Sequence, residues 1–246
     1  MELMFLGRGG AFNVLEGNTS CFFKENDELF LIDCGETTFQ TLIKKNILND
    51  IKNIHIMITH THSDHIGSLG TLISYSNKFL DIKPNIIISD NLLYLDDLKL
   101  LLKIVGIKKD EYNLIDISNY SNYDSFNSIE YEETKHSSKM HCYSIKFNTN
   151  KGIVYYSGDT KVLDNIINII HSSENIDKIY VDTSSSNNED SKHVYIGDLK
   201  NEIPVSLRDR IYCMHINDNI CRDLIEEYGF NIVRLIWRKD LIIRNM

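Results

Sequence analysis

The chain has little of what marks linkers, membrane spans or disulfide frameworks. It has two prolines in 246 residues, no Pro-rich linker and no repeat of fixed period, so we predict a single domain over 1–246. No stretch approaches the roughly 20 apolar residues of a bilayer span, and the start lacks a secretory signal pattern. The five cysteines form no CxxC pair, and their odd number favours reduced thiols. These absences predict a cytoplasmic protein with no membrane contact.

A basic surface is also missing. The chain has 26 Lys and Arg against 35 Asp and Glu, a net charge of −9, and no run of basic residues resembles a phosphate-tracking stripe. A field of that sign repels a polyanion such as RNA. The charge therefore disfavours long nucleic acid as a substrate.

What is present is a succession of apolar runs and helical patterns. Runs rich in β-branched and aromatic residues predict ten strands: ELMFLG, TSCFFK, ELFLIDCG, NIHIMIT, NIIISD, CYSIKF, GIVYYSGD, KIYVDT, RIYCMH and NIVRLI. Helical patterns lie between several of them: ETTFQTLIKKN, SLGTLISYSNKF, NLLYLDDLKLLLKIV, KVLDNIINIIH and IGDLKNEI. This order predicts a layered α/β domain with mixed sheets. The third helical pattern is apolar over much of its circumference, which fits a core helix or a dimer contact.

One short segment concentrates metal-binding side chains. His60, His62, Asp64 and His65 follow the predicted strand NIHIMI directly. Loops at the carboxyl ends of strands carry the ligands of open α/β sheets, and imidazoles and carboxylates bind divalent first-row metals such as zinc. A turn of solvated histidines is the alternative. The cluster in that position predicts a metal site.

The segment His60-Thr61-His62-Ser63-Asp64-His65 resembles the HxHxDH motif of the metallo-β-lactamase-fold hydrolases. The opening FLGRGGAFNVLEGNTSCFF and the following LFLIDCG also look like the first hairpins of that family, with Asp33 in the place of its strand-end aspartate, a support for the metal loop. The resemblance spans nearly the whole chain. It implies a four-layer αβ/βα sandwich in which two mixed sheets pack face to face.

The resemblance also implies further ligands downstream. His136 and His141 compete for one position, and we choose His136 because Tyr143 follows it by seven residues, as in the ribonuclease Z branch. Asp159 in IVYYSGDT and His215 in RIYCMHIND follow predicted strands, whereas His55 and His171 have no such context and are interpreted as structural or solvated. The implied cofactors are two divalent ions, Zn²⁺ or Mn²⁺. One ion is assigned to His60, His62 and His136, the other to Asp64, His65 and His215, with Asp159 shared.

Two ions roughly 3.5–4 Å apart lower the pKa of a bridging water far below that of bulk water, to about 7, which supplies hydroxide for hydrolysis at neutral pH. His193, about twenty residues before His215, resembles the ribonuclease Z histidine that donates a proton to the leaving oxygen. Asp182 stands where that family has a glutamate that orients the histidine, a shorter reach. The predicted catalytic residues are therefore Asp64, His193 and Asp182.

The interval between His65 and His136 lacks the basic, Gly- and Pro-rich arm with which ribonuclease Z grips transfer RNA. By size, the chain looks like the compact cyclic-nucleotide phosphodiesterases of the superfamily, some of which counter bacterial nucleotide signalling and which are often dimers. We predict a homodimeric phosphodiesterase for a small anionic phosphodiester such as a cyclic nucleotide. The alternatives are a ribonuclease Z-like RNA endonuclease, a lactone or thioester hydrolase with the same metal pair, and a non-hydrolytic redox or binding member.

Overall fold

The structure is a computed structural model that describes residues 1–121, 123–172, 175–188 and 191–236. Within these residues the chain forms twelve strands in two six-stranded sheets. The first sheet contains β1 Met4–Gly7, β2 Ser20–Glu25, β3 Glu28–Ile32, β4 Asn53–Met57, β5 Asn85–Ile88 and β6 Asn113–Asp116. The second contains β7 Ser128–Thr134, β8 Cys142–Thr149, β9 Gly152–Tyr156, β10 Ile176–Asp182, β11 Ile211–Met214 and β12 Asn231–Ile232. Residues 237–246 of the predicted single domain lie outside the described residues.

The described ranges also contain seven α-helices: α1 Thr38–Lys44, α2 Ser63–Ile66, α3 Leu69–Tyr75, α4 Leu95–Ile104, α5 Asp164–His171, α6 Ile196–Glu202 and α7 Asn219–Glu227. A π-helical turn, Ser76–Leu80, continues α3, and two 3-10 segments cover Ile117–Asn119 and Val205–Arg210. No helix in the described part of the chain is long and apolar enough to cross a bilayer. The five cysteines are buried free thiols.

The two sheets repeat one topology although the sequence shows no repeat. In each sheet the strands lie in chain order, β1 to β6 and β7 to β12, with two antiparallel pairings followed by three parallel ones. Two-residue turns join the antiparallel pairs β2–β3 and β8–β9, whereas longer loops, residues 8–19 and 135–141, join β1 to β2 and β7 to β8. The β2–β3 turn uses Asn26 at φ +54°, a conformation that asparagine tolerates. Parallel pairs need longer crossovers, which α1, α4, α5 and other helices provide. The predicted mixed sheets are confirmed.

Side chains of the central strands alternate between two apolar layers. In β10, Tyr180 faces the first sheet and contacts Phe5 at 5.3 Å between ring centroids, while Ile179 and Val181 pack in the cluster that contains the buried residues of α5, α6 and α7. Phe23 of β2 likewise meets Phe147 of β8 edge to face, at 5.9 Å. A strand buried on both faces has a continuous run of apolar residues, and such runs predicted these strands from the sequence. The four-layer α/β/β/α sandwich is confirmed.

Helix α4 has a buried apolar face and an exposed one. Leu98 and Leu102 are buried in the core, and Leu100 and Ile104 are 54% and 74% exposed. The helix begins at Leu95, four residues after the predicted start. Its inner face is therefore a core contact, and its outer face is an apolar surface.

Both sheets direct their ligand-bearing ends to one edge of the sandwich. Asp33 follows β3, the HxHxDH segment follows β4, and Asp159 and His215 follow β9 and β11. His136 lies between β7 and β8, whose antiparallel pairing brings that turn to the same edge. Residues far apart in sequence meet there.

Candidate metal centre

The metal loop is the turn from β4 into α2. His62 has extended backbone angles, φ −67° and ψ 152°, and immediately precedes the single helical turn Ser63–Ile66 that carries Asp64 and His65. The change from extended to helical backbone separates the motif into two pairs, His60 with His62 and Asp64 with His65. This matches the division expected from the sequence.

His60, His62 and His136 form the first ligand group. His60 Nε2 lies 2.9 Å from His62 Nδ1, and His136 Nε2 lies 3.2 Å from the same atom. Burial lowers the pKa of His60, and the nearby charge of His65 lowers it further. Neutral imidazole, the form that binds metal, is therefore favoured at His60.

Asp64, His65, Asp159 and His215 form the second group. His65 Nε2 lies 3.4 Å from Asp64 Oδ2 and 3.3 Å from Asp159 Oδ1, and His215 Nε2 lies 3.3 Å from Oδ2 of both aspartates. Zinc bonds of about 2.0–2.2 Å in tetrahedral geometry require ligand atoms about 3.3–3.6 Å apart. His65 Nε2 is also buried without a hydrogen-bond partner among the described residues. An orphaned nitrogen and this spacing fit a divalent ion.

Asp159 lies between the two groups. Besides its contacts in the second group, its Oδ2 is 3.9 Å from His60 Nε2 and 3.7 Å from His136 Nε2. Burial raises the pKa of Asp159, but the histidines around it, His215 and His65 foremost, bring it well below the ordinary value. The carboxylate therefore stays ionised and faces both groups, as a bridging ligand must.

Asp33 holds the metal loop from behind. Its Oδ2 lies 2.8 Å from His65 Nδ1, and its two oxygens accept hydrogen bonds from the backbone N–H and the hydroxyl of Thr59, each at 2.8 Å. The aspartate is completely buried and has φ +60°. Because its carboxylate engages Nδ1 of His65, that ring presents Nε2 to the second group.

Replacing Asp33 with Asn is expected to weaken metal binding about 10- to 100-fold, since loss of an outer-shell carboxylate loosens its ligand by that amount. Competition between the apo protein and a chromophoric chelator measures the affinity. The control is Asp27→Asn, which alters a surface ion pair with Lys52. Equal affinities for the Asp33→Asn variant and the native protein would remove Asp33 from this role.

His193 and Asp182 stand beside the second group. His193 Nδ1 lies 2.7 Å from Asp182 Oδ2. The aspartate therefore reaches the histidine although its side chain is shorter than the glutamate of the ribonuclease Z branch. The His193 ring stacks on His215 at 4.7 Å, and its side chain is 21% exposed. Burial lowers the pKa of His193, but the Asp182 carboxylate outweighs it and raises the pKa to about 9. The protonated imidazole is therefore favoured at neutral pH, and part of this side chain is open to solvent.

Three other histidines lie apart from the two ligand groups. His141 lies 2.9 Å from Glu133 on the surface, so the structure brings His136, and not His141, to the ligand cluster. His55 is buried and contacts Tyr120 and Glu28. His171 is exposed at the end of α5.

Sequence reasoning missed two features of the site. Asp182 Oδ1 also lies 3.5 Å from Nδ1 of the candidate ligand His215, so one carboxylate faces both histidines. Exposed lysines flank the site: Lys135 precedes His136, Lys161 lies two residues after Asp159, and Lys192 precedes His193. Their backbones are joined to the site; for instance, the Lys192 carbonyl is 2.8 Å from His136 Nδ1. The sequence signal for these lysines was their position next to predicted site residues.

Comparison with known proteins places the chain in a family. The profile of the family described as anti-Pycsar protein Apyc1 matches residues 1–235. The chain belongs to the Apyc1 family. The Apyc1 of Bacillus phage BSP38 is 28% identical over 244 residues, which cover 89% of this chain and 90% of that protein.

More distant similarities agree with the predicted branch. The ribonuclease Z of Pediococcus pentosaceus is 41% identical to this Apyc1-family protein over 83 residues, 32% of this chain and 27% of that enzyme. The metallo-β-lactamase-fold protein YhfI from Bacillus subtilis superposes with a TM-score of 0.68 at 17% identity, covering 92% of this chain and 90% of YhfI. The resemblance to metallo-β-lactamase-fold hydrolases of the ribonuclease Z-like branch is confirmed. This Apyc1-family protein is a hydrolase of that fold.

Proposed function

We propose that this protein hydrolyses a small phosphodiester, a cyclic mononucleotide, to a monoester. The observation that carries the proposal is the His193–Asp182 pair beside the two ligand groups, at 2.7 Å. A phosphodiester leaves as an alkoxide, which needs a proton, whereas a thiolate needs one less. The family description, anti-Pycsar protein Apyc1, and the resemblance to compact cyclic-nucleotide phosphodiesterases support the same substrate class.

The metal ligands proposed are those predicted from the sequence: His60, His62, Asp64, His65, His136, Asp159 and His215. Two divalent ions, zinc or manganese, would supply Lewis acidity and an activated water when bound there. The protein's contribution is to fix these donors in a buried edge of the sandwich. Asp33 sets the ring orientation of His65. Asp159 faces both ligand groups and fixes their positions relative to each other.

His193 supplies the proton to the leaving oxygen in this proposal. Because Asp182 engages Nδ1, the nitrogen free to face a substrate is Nε2. As the bond from phosphorus to the leaving oxygen breaks, the proton passes from Nε2 to that oxygen, and water provides the new oxygen on phosphorus. Asp182 is a positioning residue, since it acts through His193.

The surroundings of the site favour a small anion over a long one. The exposed residues Lys135, Lys161 and Lys192 lie within two positions of His136, Asp159 and His193 in a chain whose net charge is −9, and Lys135 also pairs with Asp164 at 3.7 Å. The described residues between His65 and His136 form α3, α4 and strands of the two sheets. This arrangement favours a cyclic nucleotide over a transfer RNA precursor.

Purified protein supplied with zinc or manganese tests the proposal. We expect it to convert 3′,5′-cyclic nucleotides to nucleoside monophosphates, followed by chromatography, and to act weakly or not at all on a lactone, a thioester and a transfer RNA precursor. Removal of metal with a chelator should abolish the conversion. Hydrolysis confined to the lactone or the thioester would contradict the proposal and favour the acyl-hydrolase alternative.

A homodimer and a cytoplasmic location stay predictions. The outer face of α4 and its flanks expose Leu93, Leu100, Ile104 and Val105, an apolar surface suited to a second copy. Light scattering on the purified protein measures the oligomeric state.

A further inference from the structure

The loop between β1 and β2, residues 8–19, is closed at its base by hydrogen bonds between its two ends. The Arg8 backbone N–H donates to the Glu16 carbonyl at 3.1 Å, and the Arg8 guanidinium donates to the Glu16 carboxylate at 2.8 Å. Arg222 of α7 reaches the other oxygen of that carboxylate at 3.1 Å. Arg8 is 2% exposed. Such closed, compact loops are frequently functional.

The tip of this loop, residues 9–15, is attached beside the metal centre. The Gly10 N–H and the Asn13 side chain both donate to the carbonyl of Ile216, the residue after the ligand His215, at 3.4 and 2.8 Å. A Cβ added at Gly10 would collide with Asn217 Oδ1 and lie 3.0 Å from Cε1 of His215. The backbone of the tip therefore passes directly over a ligand.

The side chains of the tip are apolar and open to solvent. Phe12 is 97% exposed, and Val14 and Leu15 are each 83% exposed. The tip sequence, GGAFNVL, contains no charged residue. Two steps of 3.8 Å separate the Cα atoms of Gly10 and Phe12, so the Phe12 Cα lies within about 12 Å of the His215 ring. Exposed apolar side chains held beside a catalytic site indicate a contact with a ligand.

We propose that Phe12, with Val14 and Leu15, packs against the planar base of a nucleotide substrate; this inference rests on the proposed function. The phosphate would lie at the ligand groups, where the charged side chains are, and the base would extend toward the uncharged tip. Aromatic side chains stack on every base because each base has a π-face. The tip therefore binds the base without selecting among bases.

Steady-state kinetics on two kinds of substrate test the inference: 3′,5′-cyclic nucleotides and ribose 3′,5′-cyclic phosphate, which lacks a base. Phe12→Ala should raise KM for each cyclic nucleotide about 5- to 100-fold, the cost of losing one base–aromatic stack. Rates on the base-free compound should not change. Phe12→Tyr should restore the native KM. The control is Phe79→Ala. Phe79 follows α3, is 72% exposed and contacts Tyr75, the last residue of that helix.

Each other outcome has a distinct meaning. If the native protein cleaves cyclic nucleotides and Phe12→Ala behaves identically, the inference about the tip fails and the proposed function stands. Equal losses on both substrates, with a change of mass by light scattering, would assign the tip to a contact between subunits and overturn the inference. If the native protein cleaves neither compound, both proposals fail.

Discussion

Replacing Asp159 with Ala is expected to lower kcat on a cyclic nucleotide by about a thousandfold or more. Its two carboxylate oxygens lie 3.3 Å from His65 Nε2 and His215 Nε2, and Oδ2 also faces His60 and His136. Metal ions supply several kcal/mol of transition-state stabilisation, and each 1.36 kcal/mol is about tenfold in rate. Loss of the ligand shared by both groups should remove most of that contribution.

Metal analysis makes this prediction specific. The native protein should carry two equivalents of zinc or manganese after loading, and Asp159→Ala one or none. Asp96→Ala is the matched control, because Asp96 is 96% exposed on α4 and bonds only Lys99 among the contacts described for it. Thermal unfolding of the apo proteins separates misfolding from loss of metal. Two retained equivalents together with full activity would exclude a bridging role for Asp159.

The grouping of the four candidate ligands was predictable because their chemistry is local. Four such side chains within six positions, directly after a strand, need no tertiary information to be recognised together. Asp159 and His215 required the family resemblance, because a single aspartate or histidine after a strand is common. The contact of Asp182 with His215 could not be predicted, since it depends on the parallel register of β10 and β11, which pairs Asp182 with Met214.

The strands that sequence reasoning missed are edge strands. β6 and β7 stand at the ends of their sheets, and their sequences, NLID and SIEYEET, are polar and only partly buried. These two edge strands are less buried than the central strands, so their sequences lack the continuous apolar run that marks β4 or β9. Helix α7 was also missed, although Asp218 caps it by accepting a hydrogen bond from the Cys221 N–H at 2.7 Å. An aspartate before a helix was the available signal.

Replacing His193 with Ala is expected to lower kcat on cyclic nucleotides about 10²- to 10⁴-fold, the usual contribution of a general acid. The effect should depend on the leaving group. An alkoxide needs the proton, whereas p-nitrophenolate is stable without it, so bis-p-nitrophenyl phosphate should be cleaved at nearly the native rate. His141→Ala, which removes a surface histidine, is the control. Equal losses on both substrates would indicate a structural role for His193.

Asp182→Asn separates proton donation from ligand support. The aspartate bonds His193 through Oδ2, accepts the Thr160 N–H at 3.0 Å, and faces Nδ1 of His215 through Oδ1. An asparagine keeps the shape of the side chain but loses the charge that favours protonated His193. Because His215 is also deprived of that charge, the variant should lose rate on both leaving groups, whereas His193→Ala loses it on one. A profile identical to that of His193→Ala would restrict Asp182 to orienting the acid.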